Sequence, residues 1–270
     1  GIDGGSVDDV IMGTSFQAGT TGMNIGRMSA LAAGLPDSVP GMSIDRQCAS
    51  GLMSVATAAK QIIVDGQDVV VADGVESVSL VQGKALELAM SQKDVALLRA
   101  SPNAYMPMLE TAELVARKYG ISREAQDELA LNSQLRAAAA QAAGLFAVEI
   151  APLQTVKRIK DRETGTVSEE TVTLQQDEGV RGGTTIDVLG ALAPVIEGGT
   201  VTAGNSSQLS DAASACVLMN EKLAESRGHD IMGIYRGMAV AGCAPDEMGI
   251  GPIFAIPKLL KQARLGIDDI

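Results

Sequence analysis

Apolar residues recur along this chain at two periods. Val7-Asp8-Asp9-Val10-Ile11-Met12-Gly13 is a short apolar run that reads as a strand. The loop Gly19-Thr20-Thr21-Gly22 follows, then a helix from about Asn24 to Ala33, ended by Gly34 and Pro36. Gly41-Met42-Ser43-Ile44 begins a second apolar run that tightens into the polar turn Asp45-Arg46-Gln47-Cys48 and opens a long helix. There Leu52, Val55, Ala56, Ala59, Ile62 and Ile63 recur at helical spacing and define a core-facing stripe, with Gly66 as the stop. Asp68-Val69-Val70-Val71-Ala72 has the continuous apolar character of a buried parallel strand.

The alternation breaks near residue 80. Helices are expected over Gly83–Met90 and Leu109–Tyr119, separated by the loop Ser101–Met108. Ser122 caps a third helix that runs through an Ala-rich stretch to Gly144. Charge-studded segments near 150–160 and 170–174 suggest a hairpin, and 175–194 is turn-rich. Core character returns at Gly199–Ser207, followed by a strand over Ala212–Met219 and a helix from Glu221. A further strand is expected over Met232–Val240, and a helix near Pro257–Arg264 with Pro257 in its first turn. This order predicts an α/β protein: residues 1–79 open a layered α/β domain, 80–206 form an inserted α+β block, 207–230 complete the first domain, and 231–270 begin another.

The composition narrows the chemistry. The chain has 270 residues, of which 46% are hydrophobic but only 2% aromatic, so its core is built from Ala, Val, Ile, Leu and Met. A net charge of −12 speaks against a nucleic-acid or anionic-membrane surface, which would need clustered Lys and Arg. No run approaches the roughly 20 apolar residues of a membrane span. Cys48, Cys216 and Cys243 are too few and too scattered for a disulfide framework or a zinc site, and suit a reducing cytoplasm. The glycines at 19 and 22 lack the spacing of a dinucleotide fingerprint and read as a tight turn. With Gly1 first and Asp268-Asp269-Ile270 last, the chain reads as a piece of a longer protein.

Cys48 is the residue with the clearest chemical placement, at the point where a strand feeds a helix. Unpaired amide groups and the helix dipole at such a position favour a thiolate, the nucleophilic form. Together with its flanks, Asp45-Arg46-Gln47-Cys48-Ala49-Ser50-Gly51, and with Ala72-Asp73-Gly74-Val75-Glu76-Ser77-Val78-Ser79 downstream, it resembles the nucleophile region of the thiolase family. The resemblance runs over nearly the whole chain. It implies a thiolase-like fold: an N-terminal α/β domain, a loop domain inserted in it, and the opening of a second α/β domain.

The resemblance also implies an acetyl-CoA C-acetyltransferase that joins two acetyl-CoA into acetoacetyl-CoA and CoA, or the reverse, through an acyl group on Cys48. Such a reaction needs covalent catalysis, two oxyanion holes and an acid/base pair. The family's Gly-His-Pro, Asn-Glu-Ala-Phe-like and Cys-x-Gly-Gly motifs, which carry the base, an oxyanion donor and the second Cys, do not occur in these 270 residues. His229 reads as a surface residue, Cys216 as strand packing, and Cys243 as a loop thiol without the following Gly pair. The chain alone is therefore expected to be a poor catalyst.

For substrate binding, Ser207 in Ala203-Gly204-Asn205-Ser206-Ser207 matches a serine that bonds the pantetheine arm, and Arg181 matches an arginine near the CoA nucleotide. Met108 and Met248 match methionines that shape the acyl pocket, and Pro107 stands where some members have a His. Acyl-CoA and CoA are the implied partners, CoA being a substrate carrier with no separate cofactor or metal, and the implied assembly is a homodimer or homotetramer. The competing readings are a non-catalytic thiolase-like scaffold binding lipid or acyl-CoA, and a ketoacyl-type condensing enzyme, which would lack the inserted block.

Overall fold

A computed structural model describes residues 1–270. In chain order its elements are β1 (Asp9–Gly13), α1 (Ile25–Ala32), β2 (Gly41–Ile44), α2 (Ser50–Lys60), β3 (Val69–Glu76), α3 (Gly83–Ser91), α4 (Val95–Ala100) and α5 (Met108–Tyr119). These are followed by α6 (Arg123–Ala142), β4 (Leu153–Lys160), β5 (Val167–Leu174), α7 (Ile186–Gly190), β6 (Ala212–Met219), α8 (Glu221–Ser226) and α9 (Gly251–Ala263). The chain separates into two compact units, Gly1–Thr111 with Leu209–Ile270, and Ala112–Gln208. Residues 80–111, which the sequence pattern assigns to the insertion, and 231–270, which it assigns to a further domain, group with the first unit.

A four-stranded sheet organises the first unit, in the order β2-β1-β3-β6. β1 runs parallel to both β2 and β3, while β6 is antiparallel to β3, with Ala72 opposite Cys216. Both faces of the parallel part are covered, as uninterrupted apolar strands require. On one face Val10, Val69 and Val7 pack with Ala30 of α1, Val39 and Leu35. On the other, Ile11, Val70 and Ala72 meet Ala58 and Val55 of α2, with Ile44 and Ile62 alongside. Each fully buried Val or Ile adds about 1.5–3 kcal/mol.

The sheet-facing side of α2 differs from the expected stripe. Ala56, Ala58, Ala59 and Ser54 are buried, whereas Leu52 is 75% exposed and Ile63 is also exposed. Small residues let the helix sit close to the strands, and Ser54 Oγ donates to the Asp73 carbonyl at 2.8 Å. A π-turn over Gln61–Asp65 then leads to Gly66, whose φ of 74° ends the helix in the left-handed conformation.

Three other expectations are corrected. Met232–Val240 forms no strand and pairs with no ladder; residues 231–235 instead border a wide apolar cleft of about 1020 Å³ over β6. Pro257 lies inside α9, which begins at Gly251 with Pro252 in its first turn. Cys216 is exposed, its strand β6 bordering the wide cleft that it helps to line. Partial burial and then the Asp73 charge push its thiol upward.

In the second unit, Ser122 caps α6 by accepting from the Ala125 N–H at 3.2 Å. The β4–β5 hairpin is exposed along most of its length, and its Arg158–Glu169 pair at 3.1 Å is a surface contact of small energetic weight. Glu113 of α5 accepts from the N–H groups of Thr200 and Val201, both at 2.7 Å, which fixes the start of the Thr200–Ser207 turn. No helix in either unit is long and apolar enough to cross a membrane.

Candidate active site

The turn between β2 and α2 presents Cys48. Gln47, just before it, has a φ of 48°, a left-handed conformation that a non-glycine residue adopts at a cost of about 1–2 kcal/mol. Asp45 Oδ1 accepts from the Gln47 N–H at 2.6 Å and holds this conformation. Ser50 Oγ accepts from the Arg46 N–H at 2.8 Å and donates to the Gln47 carbonyl at 2.6 Å, closing the turn from the helix side. The result is a sharp strand-to-helix bend with an exposed thiol at its tip. No side chain caps α2; of its first amides, the Ser50 N–H is taken by the Gln47 carbonyl at 3.0 Å, and the Ala49 N–H just before the helix by the Arg46 carbonyl at 3.1 Å.

A cleft of about 260 Å³ opens at this tip, walled by Cys48, Gly51, Gly13, Gly74, Glu76 and Ser214 among others. It sits beyond the carboxyl ends of the parallel strands, where open α/β sheets bind their ligands. Gly13 makes the close approach possible. A Cβ there would lie 2.6 Å from the Gly51 nitrogen and closer still to the Ser50 carbonyl, so the start of α2 can rest on β1 only if residue 13 has no side chain.

Glu76 anchors the far wall. Its carboxylate accepts from Thr14 Oγ1 (3.0 Å), from Ser15 N (3.0 Å) and Oγ (2.7 Å), and from Phe16 N (3.0 Å). Burial alone would raise the Glu76 carboxyl, but the hydrogen bonds from Ser15, Phe16 and Thr14 outweigh it and hold the group below the ordinary glutamate value of 4.5. A carboxylate saturated in this way is a structural clamp, poorly suited to take a proton from Cys48. The residue before Gly74 behaves oppositely: burial pushes Asp73 up to about 6, and its Oδ1 has no hydrogen-bond partner.

The other sequence-predicted residues fall elsewhere. Met108, 59% exposed, begins α5, and Met248 is 46% exposed in the 3-10 turn Pro245–Ile250; neither walls the Cys48 cleft. Their loops are joined by Asn103 Nδ2 donating to Asp246 Oδ2 at 2.8 Å. Cys243 is exposed, with its thiol donating to the Glu247 carbonyl at 3.6 Å. His229, the single histidine, is half-buried and lines the wide cleft over β6, not the one beside Cys48.

Within the second unit, Arg181 and Ser207 are carried by adjoining loops. Gln208 packs against Gly179, and the Arg181 N–H donates to Gln134 Oε1 on α6 at 2.8 Å. Both serines are exposed, but Ser206 Oγ donates back to the Thr202 carbonyl at 2.6 Å, whereas the Ser207 hydroxyl makes only a 3.2 Å bond to Gln208 O.

Sequence reasoning missed Gly13 and Glu76. The available signal was positional, since both stand at carboxyl ends of parallel strands, level with the Cys48 turn.

Residues 1–222 match the family model described as Thiolase, N-terminal domain. A 3-ketoacyl-CoA thiolase of Bacillus subtilis is 43% identical over 268 residues, covering 98% of this chain and 67% of the relative. Two solved structures are similar along 99% of the chain. The acetyl-CoA acetyltransferase of Bacillus anthracis has a TM-score of 0.81 at 37% identity, with 68% of it covered. The dimeric peroxisomal thiolase of Saccharomyces cerevisiae has a TM-score of 0.86 at 34% identity, with 65% covered. The chain spans 56–67% of the length of the curated relatives it matches. On the match over residues 1–222 and the 43% identity along 98% of its length, the chain belongs to the thiolase family.

Proposed function

We propose that this protein performs thiolase chemistry on 3-ketoacyl-CoA, with Cys48 as the acyl carrier. The observation that carries this reading is the exposed thiol held at the strand-end cleft beside the uncapped start of α2. In the thiolytic direction Cys48 Sγ attacks the 3-keto carbon, and the bond between C2 and C3 breaks. Its electrons remain on the departing acetyl-CoA enolate, which takes a proton at carbon. The acyl group then passes from Cys48 to the thiolate of a second CoA, releasing a shortened acyl-CoA and restoring the enzyme thiolate. Dividing the exchange into two acyl transfers avoids a single difficult step.

Run backwards with acetyl groups, the same steps join two acetyl-CoA into acetoacetyl-CoA. The likeness to an acetyl-CoA acetyltransferase structure supports that capacity, while the curated relatives named 3-ketoacyl-CoA thiolases support longer substrates. By the family resemblance, Ser207 and Arg181 serve the pantetheine and nucleotide ends of CoA, and Met108 and Met248, which lie outside the Cys48 cleft, serve the acyl chain beyond it. CoA enters as substrate, and no separate cofactor takes part. The proton transfers call for a base and an acid that these residues do not place in the cleft, since Glu76 is saturated and His229 lies over β6. A homodimer is the proposed assembly, by likeness to the dimeric yeast thiolase.

Exchange of labelled CoA into acetyl-CoA tests this reading in the full-length protein. Cys48→Ala is expected to abolish exchange while leaving the unfolding transition in place. Exchange that survives the substitution would exclude Cys48 as carrier and favour a CoA-binding scaffold.

A further inference from the structure

We propose that Asp127, which touches no part of the strand-end cleft, is a positioning residue for CoA: through Asn205 it sets the turn that carries Ser207. The proposal rests on the reading that Ser207 meets the pantetheine arm. Asp127 lies on α6 and is 2% exposed, and both carboxylate oxygens are engaged. Oδ2 accepts from Arg123 Nε at 2.8 Å, and Oδ1 accepts from Asn205 Nδ2 at 3.0 Å.

Asn205 spends the rest of its amide on the turn itself. Its Nδ2 also donates to the Thr200 carbonyl at 3.1 Å, and its Oδ1 accepts from the Thr202 N–H at 2.7 Å. Thr202, fully buried, returns its hydroxyl oxygen to the N–H groups of Gly204 and Asn205 at 3.2 and 3.3 Å. Arg123, the cationic partner of Asp127, donates through Nη2 to the carbonyls of Leu189 (2.6 Å) and Leu192 (3.1 Å) at and just beyond the end of α7.

A buried carboxylate is costly to keep, and an apolar side chain would fill the same space more cheaply. What the carboxylate adds is direction. It fixes which way the Asn205 amide points, and that amide decides the path of residues 200–205. The same turn ties the Ser206 hydroxyl back to the Thr202 carbonyl, whereas the exposed Ser207 keeps only one weak internal bond.

Reciprocal substitution tests the pair. Asn205→Asp sets two acceptors against each other at nearly unchanged volume, and Asp127→Asn removes the charge that orients both Arg123 and Asn205. In the double variant Asp127→Asn with Asn205→Asp, the new amide at 127 donates to the carboxylate at 205, so that bond returns with its direction reversed while the Thr200 carbonyl stays without its donor, and recovery is partial. The readouts are the calorimetric Kd for CoA and, for Cys48, the rate of alkylation by iodoacetamide.

Each single variant is expected to weaken CoA about tenfold at pH 8, equivalent to about 1.4 kcal/mol. The double variant should bind CoA more tightly than Asn205→Asp alone but short of wild type, and iodoacetamide rates should be the same in all four proteins. Asn205→Asp should also recover affinity as pH falls, because one of the facing carboxylates then regains a proton to donate. Unchanged Kd in the single variants would overturn the proposal. So would a loss shared by all three variants without recovery in the double variant or at low pH, since that is what packing alone predicts. A wild type that binds CoA yet is never acylated at Cys48 would refute the catalytic reading and leave this inference standing; a wild type that does not bind CoA refutes both. If a single variant fails to fold, the double variant, in which the pair is restored, still decides.

Discussion

Replacing Asp73 by Asn should make the protein more stable at neutral pH and flatten the dependence of stability on acidity. Asp73 is 8% exposed on β3, its Oδ1 has no hydrogen-bond partner, and burial raises its carboxyl from 3.8 to about 6. Below pH 3.8 the group is protonated in the folded and unfolded chains alike, so it costs no ionisation energy. Between 3.8 and 6 the unfolded chain gives up the proton that the folded chain keeps, and folding stability falls as pH rises. Above 6 both states are ionised and the penalty is fully developed. The gap between the two values, at about 1.4 kcal/mol per pH unit, sets that penalty at about 3 kcal/mol.

The assay is urea unfolding of wild type and Asp73→Asn at intervals from pH 4 to 8. Contributions from the other carboxylates cancel in the difference. The difference should grow with pH through the 4–6 window, in favour of the variant, and level off at about 1–3 kcal/mol, the unpartnered Asn amide retaining part of the cost. Cys216 supplies an independent readout, because the Asp73 charge is one of the two causes raising its thiol; its alkylation should shift to lower pH in the variant. A stability difference that does not vary with pH would refute the reasoning. So would a variant less stable at pH 8 than at pH 4 relative to wild type, which would mean that the carboxylate has a folded-state partner.

Gly13→Ala should destabilise the protein by about 1–3 kcal/mol and change the alkylation rate of Cys48, because the new methyl pushes the start of α2 off β1; urea unfolding and iodoacetamide kinetics check both. Glu76→Gln should cost about 1–3 kcal/mol at pH 7, because the neutral amide cannot accept all four bonds. The Glu76 contribution is present above pH 4.5 and is lost as pH falls through its lowered folded value, so the variant and wild type should converge in acid. Ser207→Ala should weaken CoA by about tenfold or less, as the loss of one hydrogen bond allows, with Cys48 alkylation unchanged; calorimetry beside iodoacetamide kinetics separates the two effects.

The parts of the fold that can be read from the chain are those whose signal is local. The strand Ala212–Met219 and the helix from Glu221 are found where the sequence pattern places them. The Ser122 cap and the Cys48 turn are equally visible, because each is written in a few neighbouring residues. Leu52 and Ile63 mislead because the seam of α2 against the sheet is made of Ala and Ser, which periodicity of large residues does not register. Met232–Val240 has the composition of a strand, yet composition cannot supply the neighbour that a ladder needs. The role of Glu76 depends on hydrogen bonds to residues about 60 positions away, and that of Asp127 on one 78 positions away, so neither had a local signature.

The central claim is that Cys48 accepts an acyl group from CoA, and peptide mass measurement after incubation with acetoacetyl-CoA or acetyl-CoA tests it most directly. The account predicts one acetyl group per chain on the peptide containing Cys48, discharged again by free CoA, with Cys216 and Cys243 unmodified. Acetylation confined to Cys216 or Cys243, or none on any cysteine while CoA remains bound, would contradict it.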